Sequence, residues 1–264
     1  MQFPFGDEYQ FLKSLARIKR ETQCEQLVVA WDSWCEWRRI IYSAYKAGSQ
    51  LVEEQALKEK VYAARDAFLL NLQYIVPCYF AEGDEADDVI AYLVHQMPGK
   101  RIIHSTDHDF FQLLFPSVEM HRVRFNPTRT EVVTASNLRE LEGFTRRQAV
   151  WILAICGCST DNVPGCRVPK KLVVQVLDQT ERFTEVDIHK TGMSILSPGW
   201  AKRWDDHFSS GAVDRNLRLV ALGHRPLDLL VMYAPNVKNA KEYLQRRSFQ
   251  TIEDDVLDDL LCAF

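Results

Sequence analysis

At 264 residues, 47% hydrophobic and 26% charged, the chain can bury a substantial core and is too apolar to be a disordered tail. No apolar run approaches the roughly 20 residues that span a bilayer, and Met1-Gln2-Phe3-Pro4-Phe5-Gly6-Asp7 lacks the basic-then-apolar pattern of a secretory leader. Seven irregularly spaced cysteines make no disulfide framework, and Cys156, Cys158 and Cys166 lack the second ligand pair of a zinc site, so reduced thiols in the cytoplasm are expected. The net charge of −4 does not advertise nucleic-acid binding. Locally, though, basic residues cluster: Arg38-Arg39 with Lys46, Arg122 with Arg124 and Arg129, Arg146-Arg147, Lys170-Lys171 and Arg246-Arg247. Each cluster could meet phosphates, or be a solvated face.

In chain order, Tyr9, Phe11, Leu12, Leu15, Ala16 and Ile18 fall at helical spacing within 8–23. Leu27 to Trp31 reads as a strand ending at Asp32. Trp37 to about Leu72 is charged and helix-prone, with no proline and a single glycine, Gly48. Tyr74 to Phe80 is a second strand, which Pro77 weakens or places at an edge. Gly83-Asp84 opens a helix running to about Gln96, with Asp84 as N-cap and Asp87 completing a capping box. Arg101 to Ser105 is a short strand, and Val118 to Phe125 alternates as an exposed-face strand. Beyond about residue 130 the character turns helical. Thr145 to Gln148 is a capping-box start to a helix that stops at Gly157, and later helices are expected over Lys171–Leu177, Ala212–Leu222, Lys238–Arg246 and Ile252–Leu261. The layout predicts an α/β region over 1–140 and a helical region over 141–264.

Three acidic clusters stand out: Glu85-Ala86-Asp87-Asp88, Asp107-His108-Asp109, and Asp161 within Gly157-Cys158-Ser159-Thr160-Asp161-Asn162-Val163-Pro164-Gly165. Each alone has an ordinary explanation, because acids favour the first turn of a helix and Asp and Asn favour turns. Two of them follow strand-like runs and Asp32 ends another, and the carboxyl ends of parallel strands in an open α/β sheet converge on one crevice. Carboxylates gathered there repel unless a cation neutralises them, and hard oxygen donors suit Mg²⁺ or Mn²⁺. The residues therefore point to a divalent-metal phosphodiester enzyme.

The order of these motifs resembles the 5′-nuclease family, which includes flap endonucleases and the 5′→3′ exonuclease domain of bacterial DNA polymerase I, with the phage and bacterial branch the most similar. The resemblance rests on Ala30-Trp31-Asp32, Trp37-Arg38, Tyr45-Lys46-Ala47, Glu85 to Ala91, Ser105 to Leu113, Gly157 to Gly165, and Arg215 to Val220. It implies a mostly parallel central sheet flanked by helices, a helical gateway over about 37–72, and a helical DNA-binding region from 141 on (PIN-like plus helix–hairpin–helix-type). It implies two Mg²⁺ or Mn²⁺ ions held by Asp32, Glu85, Asp87, Asp88, Asp107, Asp109 and Asp161, which activate water and stabilise an in-line displacement. Lys46 would offset charge at the scissile phosphate, with Arg38 as a second phosphate contact. Tyr42 and Tyr45 are candidates for base stacking or for core packing. Lys170, Lys171, Arg146 and Arg147 are the candidate DNA contacts. The implied activity is 5′→3′ exonuclease or flap endonuclease action in replication or repair. The implied partner of a monomeric protein is DNA with a 5′ flap, a nick or a 5′ end, or an RNA primer.

Three departures from the family pattern bear on that expectation. The chain starts about where the family's first strand, ending in a metal-binding Asp, gives way to a helix. Cys158 stands where the family has the first Asp of its Gly-Asp-x-x-Asp motif, and a thiol is a poor Mg²⁺ ligand. Cys166 to Lys171 replaces a Gly-Ile-Gly hairpin and keeps only its basic end. The alternative is a catalytically impaired protein that binds branched DNA. A ribonuclease of related fold would also use an acidic crevice, whereas nothing resembles a phosphatase nucleophile.

Overall fold

The computed structural model describes residues 6–33, 35–47, 63–64, 66–124, 129–223, 226–246 and 260. They form α1 (Gly6–Thr22), β1 (Val29–Ala30), α2 (Trp37–Ile41), β2 (Cys78–Ala81), α3 (Ala86–Gln96), β3 (Arg101–His104), β4 (Val118–Arg124), β5 (Arg129–Val133), α4 (Leu138–Glu142), α5 (Arg146–Cys156), α6 (Lys170–Gln179), α7 (Glu185–Ile195), α8 (Pro198–Ser209), α9 (Ala212–Val220), β6 (Leu229–Met232) and α10 (Val237–Arg246). Two compact units interleave along the chain. One takes in the described residues of Met1–Ser33, Ser49–Val89 and Asp228–Phe264, the other those of Trp34–Gly48 and Ile90–Leu227.

The α/β class holds. In place of one mostly parallel sheet, the described strands form two three-stranded sheets, each with one parallel and one antiparallel pair. In the first unit the order is β1-β2-β6, so β2 is central although Pro77 precedes it. The proline costs no ladder bond because it lies just before the strand, and its carbonyl accepts the Val29 N–H at 2.9 Å. The core behind this sheet joins Leu12, Leu15 and Ala16 of α1 to Leu72, Ile75 and Cys78, and to Tyr243 and Leu244 of α10.

In the second unit the order is β3-β4-β5. Strand β4 alternates as expected, but its buried face carries Val118, Met120 and Arg122. Arg122 is therefore no phosphate contact: it is 2% exposed, with Nε 2.5 Å from Glu131 and Nη1 2.7 Å from Glu142. A buried guanidinium needs such partners to offset its desolvation.

The capping box at Thr145 is present, with Gln148 Oε1 accepting the Thr145 N–H at 2.7 Å, and α5 ends on Gly157 at φ 77°. Helices α7 and α8 lie outside the helices expected from the sequence. Gly192 is the contact that lets the helices close, since a Cβ there would collide with the indole of Trp204. Pro198 sits at the start of α8, where its missing N–H costs nothing. Strand β6 was also missed. The expected helix over Ile252–Leu261 lies outside the described residues except at Leu260, and so do residues 48–62 and 65 of the expected gateway. Helix α2 ends at Ile41 rather than continuing, and residues 66–72 are helical again.

Asp178 ties three helices together. Arg139 of α4 grips it with two nitrogens at 3.0 and 2.8 Å, and the Gln148 amide of α5 donates at 2.8 Å. The Arg139 hydrogen bonds, outweighing partial burial and aided by Gln148, hold this carboxyl below the ordinary aspartate value. A depressed folded value stabilises above the unfolded value, about 3.9, and the contribution is lost as pH falls through the folded one. Denaturant titrations at stepped pH should therefore show Asp178→Asn less stable than the parent at neutral pH, with the gap closing as the pH drops below about 4.

Candidate active site

In the first unit, the parallel pairing of β1 with β2 brings their carboxyl ends to one edge. Beyond Ala30, the Trp31 N–H donates to the Tyr79 carbonyl at 2.8 Å and the Ser33 N–H to that of Asp84 at 3.2 Å. Asp32, exposed, accepts the Ala86 N–H on Oδ1 at 2.7 Å and so caps the start of α3. The expected cap, Asp84, stands one residue too early. Asp88 Oδ2 accepts the Glu85 N–H at 3.3 Å, which is the reaching-back half of a capping box shifted by one position. Glu85 and Asp88 are buried, as is Asp84, while Asp87 is half-buried. Asp32, Glu85 and Asp88 are thus collected at one helix start.

In the second unit, the segment after β3 turns through Ser105, whose Oγ accepts the Asp107 N–H at 3.1 Å. Asp107 Oδ1 accepts the Asp109 N–H at 2.9 Å and caps a short 3₁₀ helix, His108–Leu113. Phe110, Phe111 and Leu113 bury this turn's inner face. Gln112 fixes its far end by donating to the Val220 carbonyl at 3.0 Å and accepting the Leu222 N–H at 2.9 Å. Asp107 remains exposed and Asp109 half-exposed, both on a rigid support.

Asp161 and Lys46 come together in the same unit. The loop after α5 closes through a two-way backbone pair, Cys158 with Val163, at 2.9 and 2.8 Å. Both loop glycines are required. A Cβ on Gly157 would collide with the Val163 carbonyl oxygen, and one on Gly165 with the Cys156 carbonyl. The Asp161 carbonyl accepts the Lys46 N–H at 3.0 Å, and the Lys46 ammonium stands 4.0 Å from Asp161 Oδ1. Lys46 has φ 45°, a left-handed conformation that costs a lysine roughly 1–2 kcal/mol. Such strain persists where surrounding contacts over-determine it. Cys158 is half-buried, its Sγ 2.9 Å from Thr160 Oγ1.

The other expected site residues fare differently. Arg38 does not face solvent: it is 1% exposed, with Nε donating to the Leu219 carbonyl at 2.9 Å, at the end of α9. The carbonyl end of a helix attracts a cation, which explains the anchoring. Tyr45 is likewise core, at 4% exposure, so base stacking is excluded for it as it lies here; Tyr42 lies 4.6 Å under the Arg215 guanidinium. Lys170, Lys171 and Arg147 are exposed and Arg146 half-exposed. Arg146 donates to the Gln112 carbonyl at 3.3 Å, and Lys170 lies 4.5 Å from the Phe144 ring. Sequence reasoning missed Asn162 and Asn216, whose amides bind backbone carbonyls across the fold. Only an asparagine on the buried face of an amphipathic helix could have flagged Asn216.

The candidate ligands are all carboxylates, which fit a hard divalent cation. Among the described residues, no three His, Cys, Asp or Glu side chains are gathered as a ready-made ion site. Asp32, Asp88 and Asp107 accept backbone N–H groups, and Asp161 faces Lys46.

Against known proteins, the family model of the 5′-3′ exonuclease N-terminal resolvase-like domain matches residues 2–142. The chain belongs to this family. The 5′-3′ exonuclease of Buchnera aphidicola subsp. Schizaphis graminum is 26% identical over 189 residues, covering 69% of this chain and 62% of that protein. The 5′-3′ exonuclease of Aquifex aeolicus is 31% identical over 180 residues, covering 66% and 60%. The flap endonuclease Xni of Shewanella woodyi is 32% identical over 153 residues, covering 56% and 57%. The chain thus spans less than two thirds of the length of these relatives. The fold is shared with T5 5′-exonuclease, solved with divalent zinc, at a TM-score of 0.68 and 19% identity over 99% of this chain and 90% of that one. No helix among the described residues is long and apolar enough to cross a membrane.

Proposed function

We propose that the chain hydrolyses DNA phosphodiesters at 5′ ends, as a metal-dependent 5′→3′ exonuclease or structure-specific flap endonuclease acting in replication or repair. The carrying observation is the exposed Lys46, held in a left-handed backbone conformation beside Asp161. An ammonium so placed can meet a phosphate whose charge grows in the transition state. The names of the relatives support the same reaction class.

The carboxylates of Asp32, Glu85, Asp87, Asp88, Asp107, Asp109 and Asp161 would hold two Mg²⁺ or Mn²⁺ ions, because all are hard oxygen donors. When bound, such ions supply the positive charge that lowers the barrier to attack on a phosphodiester. Lys46 would orient and neutralise the scissile phosphate. Lys170, Lys171, Arg146 and Arg147 would meet DNA phosphates along the helical region, with the protein working as a cytoplasmic monomer. Cys158 favours one second reading, a catalytically impaired binder of branched DNA, since a thiol stands where the resembled motif has an aspartate.

The test is incubation of a 5′-end-labelled flap duplex with Mg²⁺, Mn²⁺ or EDTA. Short 5′ products that require metal are expected. Retention of the flap without cleavage in either metal would overturn the enzyme in favour of the binder.

A further inference from the structure

Lys46 is held in its left-handed conformation from both sides of its own backbone. On its N-terminal side, Tyr45 is buried among Ala154, Val163 and Leu219, and Arg38 is anchored to the Leu219 carbonyl. At Lys46 itself, the N–H donates to the Asp161 carbonyl at 3.0 Å. Just beyond, the Ala47 carbonyl accepts from Asn162 Nδ2 at 3.1 Å. Asn162 thus grips the chain just after Lys46 while its neighbour Asp161 grips the peptide that precedes it. Two contacts on either side of one residue define its φ and ψ more tightly than either alone.

Asn162 is itself built to do this. It sits at φ 58°, a conformation asparagine tolerates better than most side chains. It is exposed, so its amide is not there to satisfy a buried group within the loop. The loop in turn has a firm footing. Asn216, with no exposed surface, donates through Nδ2 to the carbonyls of Pro164 and Ala154, both at 2.8 Å, and Arg215 donates to its Oδ1 at 3.0 Å. An Asn162 fixed to that footing transmits its rigidity to the Lys46 backbone.

We propose that Asn162 is a positioning residue: its side-chain amide, through the Ala47 carbonyl, holds Lys46 in the geometry that sets its ammonium against Asp161 and the reacting phosphate. The catalytic half of this inference rests on the proposed role of Lys46; the conformational half does not.

Asn162→Gly tests it, because glycine keeps the left-handed backbone freely and removes only the amide. The first readout is hydrogen exchange at the Lys46 N–H, monitored by NMR in uniformly nitrogen-labelled protein. Exchange at Lys46 should accelerate about tenfold or more, with the Val163 amide, inside the loop, unchanged. The second is a cycle with Lys46→Met on the flap duplex. Asn162→Gly alone should lower kcat about tenfold at unchanged KM, and less than about twofold when Lys46 is already Met. Unchanged kcat, or equal losses in both backgrounds, would overturn the proposal, since the amide would then act on the loop and not through Lys46. If the parent protein cleaves nothing, the proposed activity fails by itself. The exchange result still decides: faster Lys46 exchange upholds the positioning contact, and unchanged exchange overturns it.

Discussion

Changing Asp107 and Asp109 together to asparagine is expected to lower metal-dependent flap cleavage by roughly 10³-fold or more, the scale on which loss of one group from a catalytic unit acts. The choice of asparagine matters structurally. Asp107 caps the 3₁₀ turn by accepting the Asp109 N–H on Oδ1, and an asparagine carbonyl can accept the same bond. The inner face of that turn is held by Phe110, Phe111 and Leu113, which the change does not touch. Folding should therefore survive, and the thermal midpoint should stay within a few degrees of the parent, about 2–4 °C per kcal/mol of stability lost. The loss is one of negative charge. Two neutral amides in place of two carboxylates weaken any site for a hard divalent cation. Flap binding in EDTA should hold or tighten, because removing two carboxylates near a phosphate path reduces repulsion. Cleavage that persists at the parent rate, with the protein folded, would place the ions elsewhere and remove Asp107 and Asp109 from the site.

How much of this was legible in the sequence depends on whether local chemistry or long-range packing decides the outcome. Asp107 and Asp109 were legible because their setting is local: a strand, a short polar turn and an acid that caps the next helical turn. Thr145 and Gln148 were legible for the same reason, being partners three residues apart. The burial of Arg38 and Arg122 was not legible because a charged side chain in a polar stretch looks solvated. Arg38 is bound to a carbonyl 181 residues away, at Leu219, and Arg122 is buried by glutamates on β5 and α4. Helix α7 was not legible because its Gly192 is set by Trp204, which no periodicity within α7 reveals. The central place of β2 depends on β6, roughly 150 residues on, and Pro77 concealed it. Asn162 was read as a turn residue, which it is. The hydrogen bond that its amide donates to the Ala47 carbonyl spans 115 positions and belongs to the tertiary fold.

The loop that carries Asp161 makes the strongest stability demand on a single residue. Gly165→Ala is expected to destabilise the protein by about 3 kcal/mol, the upper part of the range for forcing added atoms into a packed site. The new methyl group would collide with the Cys156 carbonyl and approach the Gly157 nitrogen to 2.8 Å. All of these are backbone atoms at the end of α5, so no side chain can swing away to relieve the contact. Relief requires moving the strand-like return of the loop, which costs the Cys166 N–H bond to Ile155 at 2.8 Å and strains the Asn216 bond to the Pro164 carbonyl. Either displacement carries Asp161 and Asn162 with it, so activity should fall further than the loss of folded protein explains. A fall in the thermal midpoint of about 6–12 °C would register the stability term. Gly199→Ala is the matched control: it lies in α8, with open space where its Cβ would point. Alanine favours a helix over glycine, so that variant should match or slightly exceed the parent. Equal midpoints for the two variants would mean that the Gly157–Gly165 loop yields without cost, and would leave Lys46 without the rigid partner that its left-handed backbone requires.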